Sequence, residues 1–238
     1  MFTLPELLWG NPYPGRGIAL GRTADGKRSI VVYFIMGRSE NSRNRIFAQT
    51  EDGIRTQAYD ESKVTDPSLI IYHPVRLLPK GLLIVTNGDQ TDTLRDFIAQ
   101  GKCYRHALLT RTFEPDGPNW TPRISGVLKP DGSYNLSILK TAGGDPSCCQ
   151  RFFFEYDTPV PGAGHFISTY LTDGDPLPSF EGEPCRVDLV NETARELADK
   201  VWEAMNEQNR VSLFVRTIDQ TSGETDSVII NRHGGEGK

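Results

Sequence analysis

Ser29-Ile-Val-Val-Tyr-Phe-Ile-Met36 runs directly into Gly37-Arg-Ser-Glu-Asn-Ser-Arg-Asn-Arg45. The first stretch is apolar and rich in β-branched and aromatic side chains, which predicts a buried strand. The second puts Arg38, Arg43 and Arg45 where that strand stops, among small hydrogen-bonding residues. Three cations so close together repel unless water separates them or an anion sits between them. Phosphate is the usual anion, because a planar guanidinium forks onto two of its oxygens. A solvated, charged loop is the plainer reading of the same spacing.

Outward from this strand the chain reads as a strand-rich α+β protein. Gly17 to Thr23 pairs with Ser29 to Met36 across Ala24-Asp-Gly-Lys27, where Asp-Gly supplies hairpin turn chemistry. Arg45 to Glu51 and Ile54 to Tyr59 form a second hairpin across Asp52-Gly53. Further strands are expected at Leu69 to Leu77, Leu82 to Thr86, Arg123 to Lys129, Tyr134 to Lys140, Arg151 to Tyr156 and His165 to Leu171. Arg210 to Ile218 and Asp226 to Asn231 make a terminal pair. One helix is expected over Asn87 to Gly101 and another from Asn191 to Gln208, the latter with a stripe of Ala194, Leu197, Ala198, Val201, Trp202 and Met205. Tyr104 to Leu109 is a third candidate. Many hairpins and few helices predict two mainly antiparallel sheets packed together with helices outside.

A chain of 238 residues, 37% hydrophobic and 24% charged, can bury a sizeable core, and no linker divides it, so one domain over 1–238 with a flexible tail from about 231 is expected. The net charge of −5 argues against a general nucleic-acid binder. No signal peptide or membrane-length apolar run is seen, which predicts a cytoplasmic protein without a membrane partner. Cys103, Cys148, Cys149 and Cys185 show no Cys-x-x-Cys spacing, and His73, His106, His165 and His233 no ligand pairing, so reduced thiols and no protein-held metal are expected.

Four other segments combine rigid backbone with polar side chains. Asn11-Pro-Tyr-Pro-Gly-Arg-Gly17 is a stiff loop whose N–H groups and Arg16 suit an anion, or a simple turn. Thr86-Asn-Gly-Asp-Gln-Thr-Asp92 is a strand-to-helix junction, read either as a ligand-binding helix start or as plain capping. Glu114, Asp116, Asn119, Thr121 and Arg123 lie in a proline-rich loop. His165, Ser168, Thr169 and Tyr170 follow a Pro/Gly stretch, and a lone histidine there is more often structural than catalytic.

Gly37-Arg38-Ser39 with Asn44-Arg45, Ile71-Tyr72, Asn87 to Asp92, Glu114 with Thr121-Pro-Arg-Ile124, and Ile167-Ser-Thr-Tyr170 occur in this order. Together, over about residues 15 to 185, they resemble the archaeal-type IMP cyclohydrolase family. The resemblance implies a four-layer αββα sandwich similar to that of the N-terminal-nucleophile hydrolases. It also implies ring closure of 5-formamidoimidazole-4-carboxamide ribotide to IMP, the last step of purine synthesis, with no cofactor and no covalent intermediate. Phe2 after Met1 fits the loss of an N-terminal nucleophile. The chain departs from the family in an N-terminal segment, a C-terminal strand-helix-strand extension, and Leu171-Thr-Asp173 where a Glu-His pair is more usual.

For such a reaction the site needs a phosphate anchor, donors that polarise the formyl oxygen, and a proton shuttle. Glu114, Tyr72 and Arg38 are the expected catalytic residues, with Arg123 supporting Glu114. Arg16, Arg45, Asn87, Gly88, Asp89, Thr121, Arg123, Thr169 and Tyr170 are the expected binding residues. The expected partner is a purine ribotide, and a homo-oligomer stays open. A purine-nucleotide binder without turnover and an amide-cleaving hydrolase are the alternatives from other classes.

Overall fold

The computed structural model describes residues 2–64 and 71–234. Its strands make two antiparallel sheets. The first has six strands in the order β11-β10-β1-β2-β12-β13, namely β1 (Arg16–Arg22), β2 (Arg28–Met36), β10 (Ala163–Ser168), β11 (Cys185–Asp188), β12 (Arg210–Asp219) and β13 (Thr225–Asn231). The second has seven in simple meander order, β3 (Arg45–Thr50), β4 (Gly53–Ala58), β5 (Val75–Leu77), β6 (Leu83–Thr86), β7 (Arg123–Leu128), β8 (Tyr134–Ala142) and β9 (Asp145–Tyr156). The helices are α1 (Leu4–Leu8), α2 (Glu40–Arg43), α3 (Gln90–Ala99), α4 (Tyr104–Leu109) and α5 (Ala194–Ala204).

The period-2 alternation of β2 builds the layers. Ile30, Val32, Phe34 and Met36 face one apolar cluster together with α1 and α5, including Leu197, Val201 and Met205. Val31, Tyr33 and Ile35 face a second cluster, shared with Ile124, Leu136 and Ile138 of the other sheet. A third cluster joins Ile84 and Leu139 of that sheet to Leu94 of α3 and Leu108 of α4. Three interlayer cores mean four layers, helix-sheet-sheet-helix. Asn231 ties the sheets together at one edge, its amide accepting from the Phe47 N–H at 2.8 Å and donating to the Phe47 carbonyl at 3.0 Å.

Several expected boundaries shift for local reasons. The strand expected over Leu69 to Leu77 is only Val75–Leu77, and its positions 69 and 70 lie outside the described residues, as does the tail from 235. Tyr72 instead bonds Thr56, whose N–H donates to the Tyr72 carbonyl at 2.8 Å, and Pro74 has no N–H for a ladder. In contrast, β9 starts at Asp145, ahead of the expected Arg151, on polar residues that pair with β8. The helix expected over Asn191 to Gln208 is Ala194–Ala204, opened by a capping box of Thr193 and Glu196. The C-terminal segment expected as an extension is integral, since β12 lies between β2 and β13 in the sheet. The arginine-rich stretch is also ordered by its own chemistry. Ser39 and Ser42 cap each other and close the single turn α2, which carries the chain from one sheet to the other.

Candidate active site

The two sheets present their strand ends together at one end of the sandwich. Arg16 opens β1 opposite Ile35 near the end of β2, and Gly17 is opposite Ser168 at the end of β10. On the other sheet Thr86, the end of β6, is opposite Ser125 near the start of β7. Loops from both sheets therefore meet over one end of the inner core. Gly15, at φ +78°, lets the first of them pass close; a Cβ there would lie 2.3 Å from Thr169 Oγ1 and 2.5 Å from the Tyr170 ring.

Arg45 is the most buried cation of the expected set, 1% exposed. Its Nε donates to the Ser42 carbonyl at 2.8 Å and one terminal nitrogen reaches the Met36 carbonyl at 3.4 Å, while the other has no partner. Arg16 lies in the same field and its buried Nε also lacks a partner. Burial and the neighbouring Arg16 hold the Arg45 pKa down. Burial is the largest influence on Arg16 and opposes its charge, but Glu114 together with Tyr13, Tyr170 and Tyr72 turns the net direction up. A buried Arg45 and a half-buried Arg16 within reach of each other's charge, each with one buried unpartnered N–H, make an anion-binding environment.

Glu114 is 3% exposed, and burial pushes its carboxyl pKa up although Arg16 and Arg123 pull it down. A carboxyl held toward its neutral form can give and take a proton. Its main chain is fixed by donation from its N–H to the Thr121 carbonyl at 2.9 Å. Tyr72 shares the field of Arg45 and Arg16, and its hydroxyl lies 2.8 Å from that of Tyr33. Burial raises both phenols, Tyr33 the more strongly. Tyr170 stacks on Tyr13 at 6.0 Å and shares a 2.6 Å hydrogen bond with Thr121, which is itself bonded to Asp116.

Other expected residues are bonded within the protein. Asn87 donates to the Pro122 carbonyl at 2.9 Å and accepts from the Ile124 N–H and the Gln90 amide, so it fixes the β6–α3 junction against β7. Gly88 is squeezed there; a Cβ would fall 2.6 Å from the Arg123 guanidinium. Asp89 is paired with Arg111 at 2.5 Å and Arg123 at 2.6 Å. Arg123 also donates to Gln90 Oε1 at 2.7 Å, so it reaches Glu114 through charge rather than a direct bond. Thr169 accepts from the Arg16 N–H and donates to the Pro14 carbonyl.

The three arginines at the strand end separate. Arg38 sits at the rim, 5.2 Å above the Tyr13 ring, paired with Asp173 at 2.6 Å and with the Gly174 carbonyl at 2.8 Å. Arg43 turns away to the Gly37 carbonyl and Asn209 Oδ1, both at 3.0 Å, and clamps the loop. Arg16 takes the inner place beside Arg45 that the spacing assigned to these neighbours. His165 is remote from the cluster, with Nδ1 2.7 Å from Tyr134 and its ring stacked 3.9 Å from Tyr156; burial and Arg186 push its pKa down to about 4. Sequence reasoning missed Tyr13 and Tyr33. Tyr13 was signalled by its stiff Pro-Tyr-Pro loop, whereas Tyr33 is indistinguishable from core inside an apolar run. Among the described residues no group of three or more His, Cys, Asp or Glu side chains could hold a metal, and no helix is long and apolar enough to cross a membrane. The cysteines are free, Cys103 and Cys148 exposed.

A family model described as IMP cyclohydrolase-like protein matches residues 13–223. An IMP cyclohydrolase of Methanopyrus kandleri is 31% identical over 197 residues, which is 74% of this chain and 92% of that relative. An IMP cyclohydrolase of Methanococcus maripaludis is 35% identical over 127 residues, 51% of this chain and 61% of the relative. One of Halobacterium salinarum is 29% identical over 132 residues, 54% and 63% respectively. The family match takes in α5 and β12, so those elements are family structure and not an addition.

Proposed function

Since the chain belongs to the IMP cyclohydrolase-like family, we infer that it is an IMP cyclohydrolase, closing the ring of 5-formamidoimidazole-4-carboxamide ribotide to give IMP and water. The observation that carries the assignment to this site is the pair of Arg45, buried, and Arg16, half-buried, coupled by charge, each with one buried unpartnered N–H and both in the field of the buried Glu114 carboxyl.

The reaction joins two groups of one molecule, so holding them in the near-attack rotamer removes much of the barrier. Arg45 and Arg16 take the ribotide's anion, with Arg38 closing over the rim after release of Asp173. The carboxamide nitrogen attacks the formyl carbon, and negative charge grows on the formyl oxygen. Tyr72 donates to that oxygen, its proton left free because Tyr33, sealed away from other acceptors, spends its own on Tyr72. Glu114 takes the proton lost by the carboxamide nitrogen and passes it to the formyl oxygen, making a hydroxyl. The formamido nitrogen then gives up its own N–H proton as the C=N bond forms, and with that second proton, relayed by Glu114, the hydroxyl leaves as water. Asn87, Asp89, Gln90 and Arg123 hold the junction that carries these groups. A cytoplasmic location belongs to this proposal.

Purified protein incubated with the formylated ribotide should yield IMP by chromatography, and the rate should scale with protein added. Absence of IMP at high enzyme concentration would remove the assignment.

A further inference from the structure

Asp116 sets the direction of the hydrogen bonds that join it to Thr121 and Thr121 to Tyr170, and its charge also reaches Glu114. Its Oδ1 accepts from the Thr121 N–H at 2.6 Å, and its Oδ2 is bonded to Thr121 Oγ1. An Asp carboxylate has only acceptor sites, so the Thr121 hydroxyl must give its one proton to Asp116. Thr121 Oγ1 can then meet the Tyr170 hydroxyl, 2.6 Å away, only as acceptor. The Tyr170 proton is thereby committed to Thr121. Thr121 and Tyr170 are each 1% exposed, so no bulk water offers an alternative.

We propose that Asp116 is a positioning residue that, through Thr121, makes Tyr170 an acceptor-only group in the pocket, selecting a ribotide that presents an N–H or O–H donor there. The inference rests on the reading of this pocket as the cyclohydrolase site. Tyr170 lies in the field of Arg16 and stacks on Tyr13, whose ring also carries Arg38, and in this proposal its oxygen lies on the wall that receives the ligand. The opposite phenol, Tyr72, has the reverse polarity and offers a proton. A ligand is thus matched by one donor and one acceptor held in fixed senses, which rejects analogues with those groups exchanged.

Asp116→Asn tests this with nearly the same shape. The new amide keeps an oxygen for the Thr121 N–H but turns an N–H toward Thr121 Oγ1. Thr121 then donates to Tyr170, and the Tyr170 proton points into the pocket against the ligand's donor. Turnover of the formylated ribotide (kcat/KM) and IMP affinity by calorimetry should both fall roughly 10- to 100-fold in Asp116→Asn, and less in Tyr170→Phe. In the double variant the Asp116 change should add almost nothing to Tyr170→Phe, because the hydroxyl it acts through is gone. Thr121→Val, which cuts the chain and leaves Asp116 in place, should likewise lose its effect in the Tyr170→Phe background, and it serves if Asp116→Asn does not fold. Binding of 2′-deoxy-IMP identifies the donor. A ribose hydroxyl predicts discrimination by wild type that vanishes in Tyr170→Phe, and a base N–H predicts equal discrimination by both. Equal losses from the Asp116 and Thr121 changes with and without the Tyr170 hydroxyl would mark a merely structural role and overturn the proposal. A wild type with neither turnover nor IMP binding would instead overturn the assigned function, and this inference with it.

Discussion

The hydroxyl oxygens of Tyr33 and Tyr72 lie 2.8 Å apart between the two sheets, Tyr33 fully buried and Tyr72 6% exposed. Neither hydroxyl has another hydrogen-bond partner among the described residues. We assign Tyr33, the more deeply buried, as the donor, because an orphaned proton there costs about 1–3 kcal/mol while the Tyr72 proton is spent on the ligand. Tyr33→Phe should keep the stacking on Phe47, 5.5 Å away, and leave IMP affinity near wild type. It should lower kcat, because Tyr72 loses the bond that aims its proton. Tyr72→Phe should lower kcat further, by roughly 10²- to 10³-fold, the usual effect of removing one donor to a developing oxyanion. Steady-state kinetics of both variants check the order; a Tyr33→Phe enzyme with unchanged kcat and raised KM would contradict it.

Arg45 should be a residue kept for binding against stability. Its charge is held in a buried place in the field of Arg16, and among the described residues no carboxylate forms an ion pair with it. Arg45→Met should raise the stability of the ligand-free protein, by up to about 4 kcal/mol if it behaves as other buried charges replaced by apolar groups. The same change should weaken IMP binding by about 1.5–3 kcal/mol, with little effect on inosine, which lacks the phosphate. Thermal melts with and without IMP, and with inosine as comparison, read both effects. Equal binding of inosine and IMP by wild type would remove the phosphate from this cluster.

Glu114 gives a pH dependence with a definite sign. Burial raises its pKa above the ordinary 4.5, so the folded state favours the protonated form. Its contribution to stability is full below pH 4.5 and is lost as pH rises through the raised folded value. Glu114→Gln, which cannot ionise, should gain stability relative to wild type above that window and show no gain below it. Melting temperatures of the two proteins across pH test this. A constant difference at every pH would mean that Glu114 ionises as it does in the unfolded chain.

Gly15→Ala should damage both stability and the site. Its φ of +78° disfavours any Cβ, and the added carbon would meet Thr169 Oγ1 and the Tyr170 ring. The loss should exceed about 1 kcal/mol in denaturant unfolding. IMP affinity should fall with it, because the displaced residues carry the pocket wall. A variant as stable as wild type would show that the loop relaxes freely.

Much of the frame was legible where local pattern and tertiary need agree. The alternation of β2 and the Asp25-Gly26 turn specified the first hairpin, and the stripe on α5 specified its buried face. The first half of β9 was not legible, since Asp145 to Gln150 is polar and extended only through its pairing with β8. Arg43 illustrates the same limit at the site. Its partner Asn209 stands 166 residues away, so spacing could not separate a loop clamp from a ligand cation. Arg45, Glu114 and Tyr72 could be named from motif order, but the pairing of Tyr33 with Tyr72 and of Asp116 with Thr121 and Tyr170 depends on which loops the sandwich brings together.

The most direct test of the account is to follow conversion of the formylated ribotide to IMP by absorbance, with wild type and Glu114→Gln side by side and IMP affinity measured for both. The account predicts turnover by wild type, a fall of roughly 10²–10⁴ in kcat for Glu114→Gln, and near-equal IMP affinity. A wild type that binds IMP but leaves the ribotide unchanged would contradict it, as would a Glu114→Gln variant that turns over at the wild-type rate.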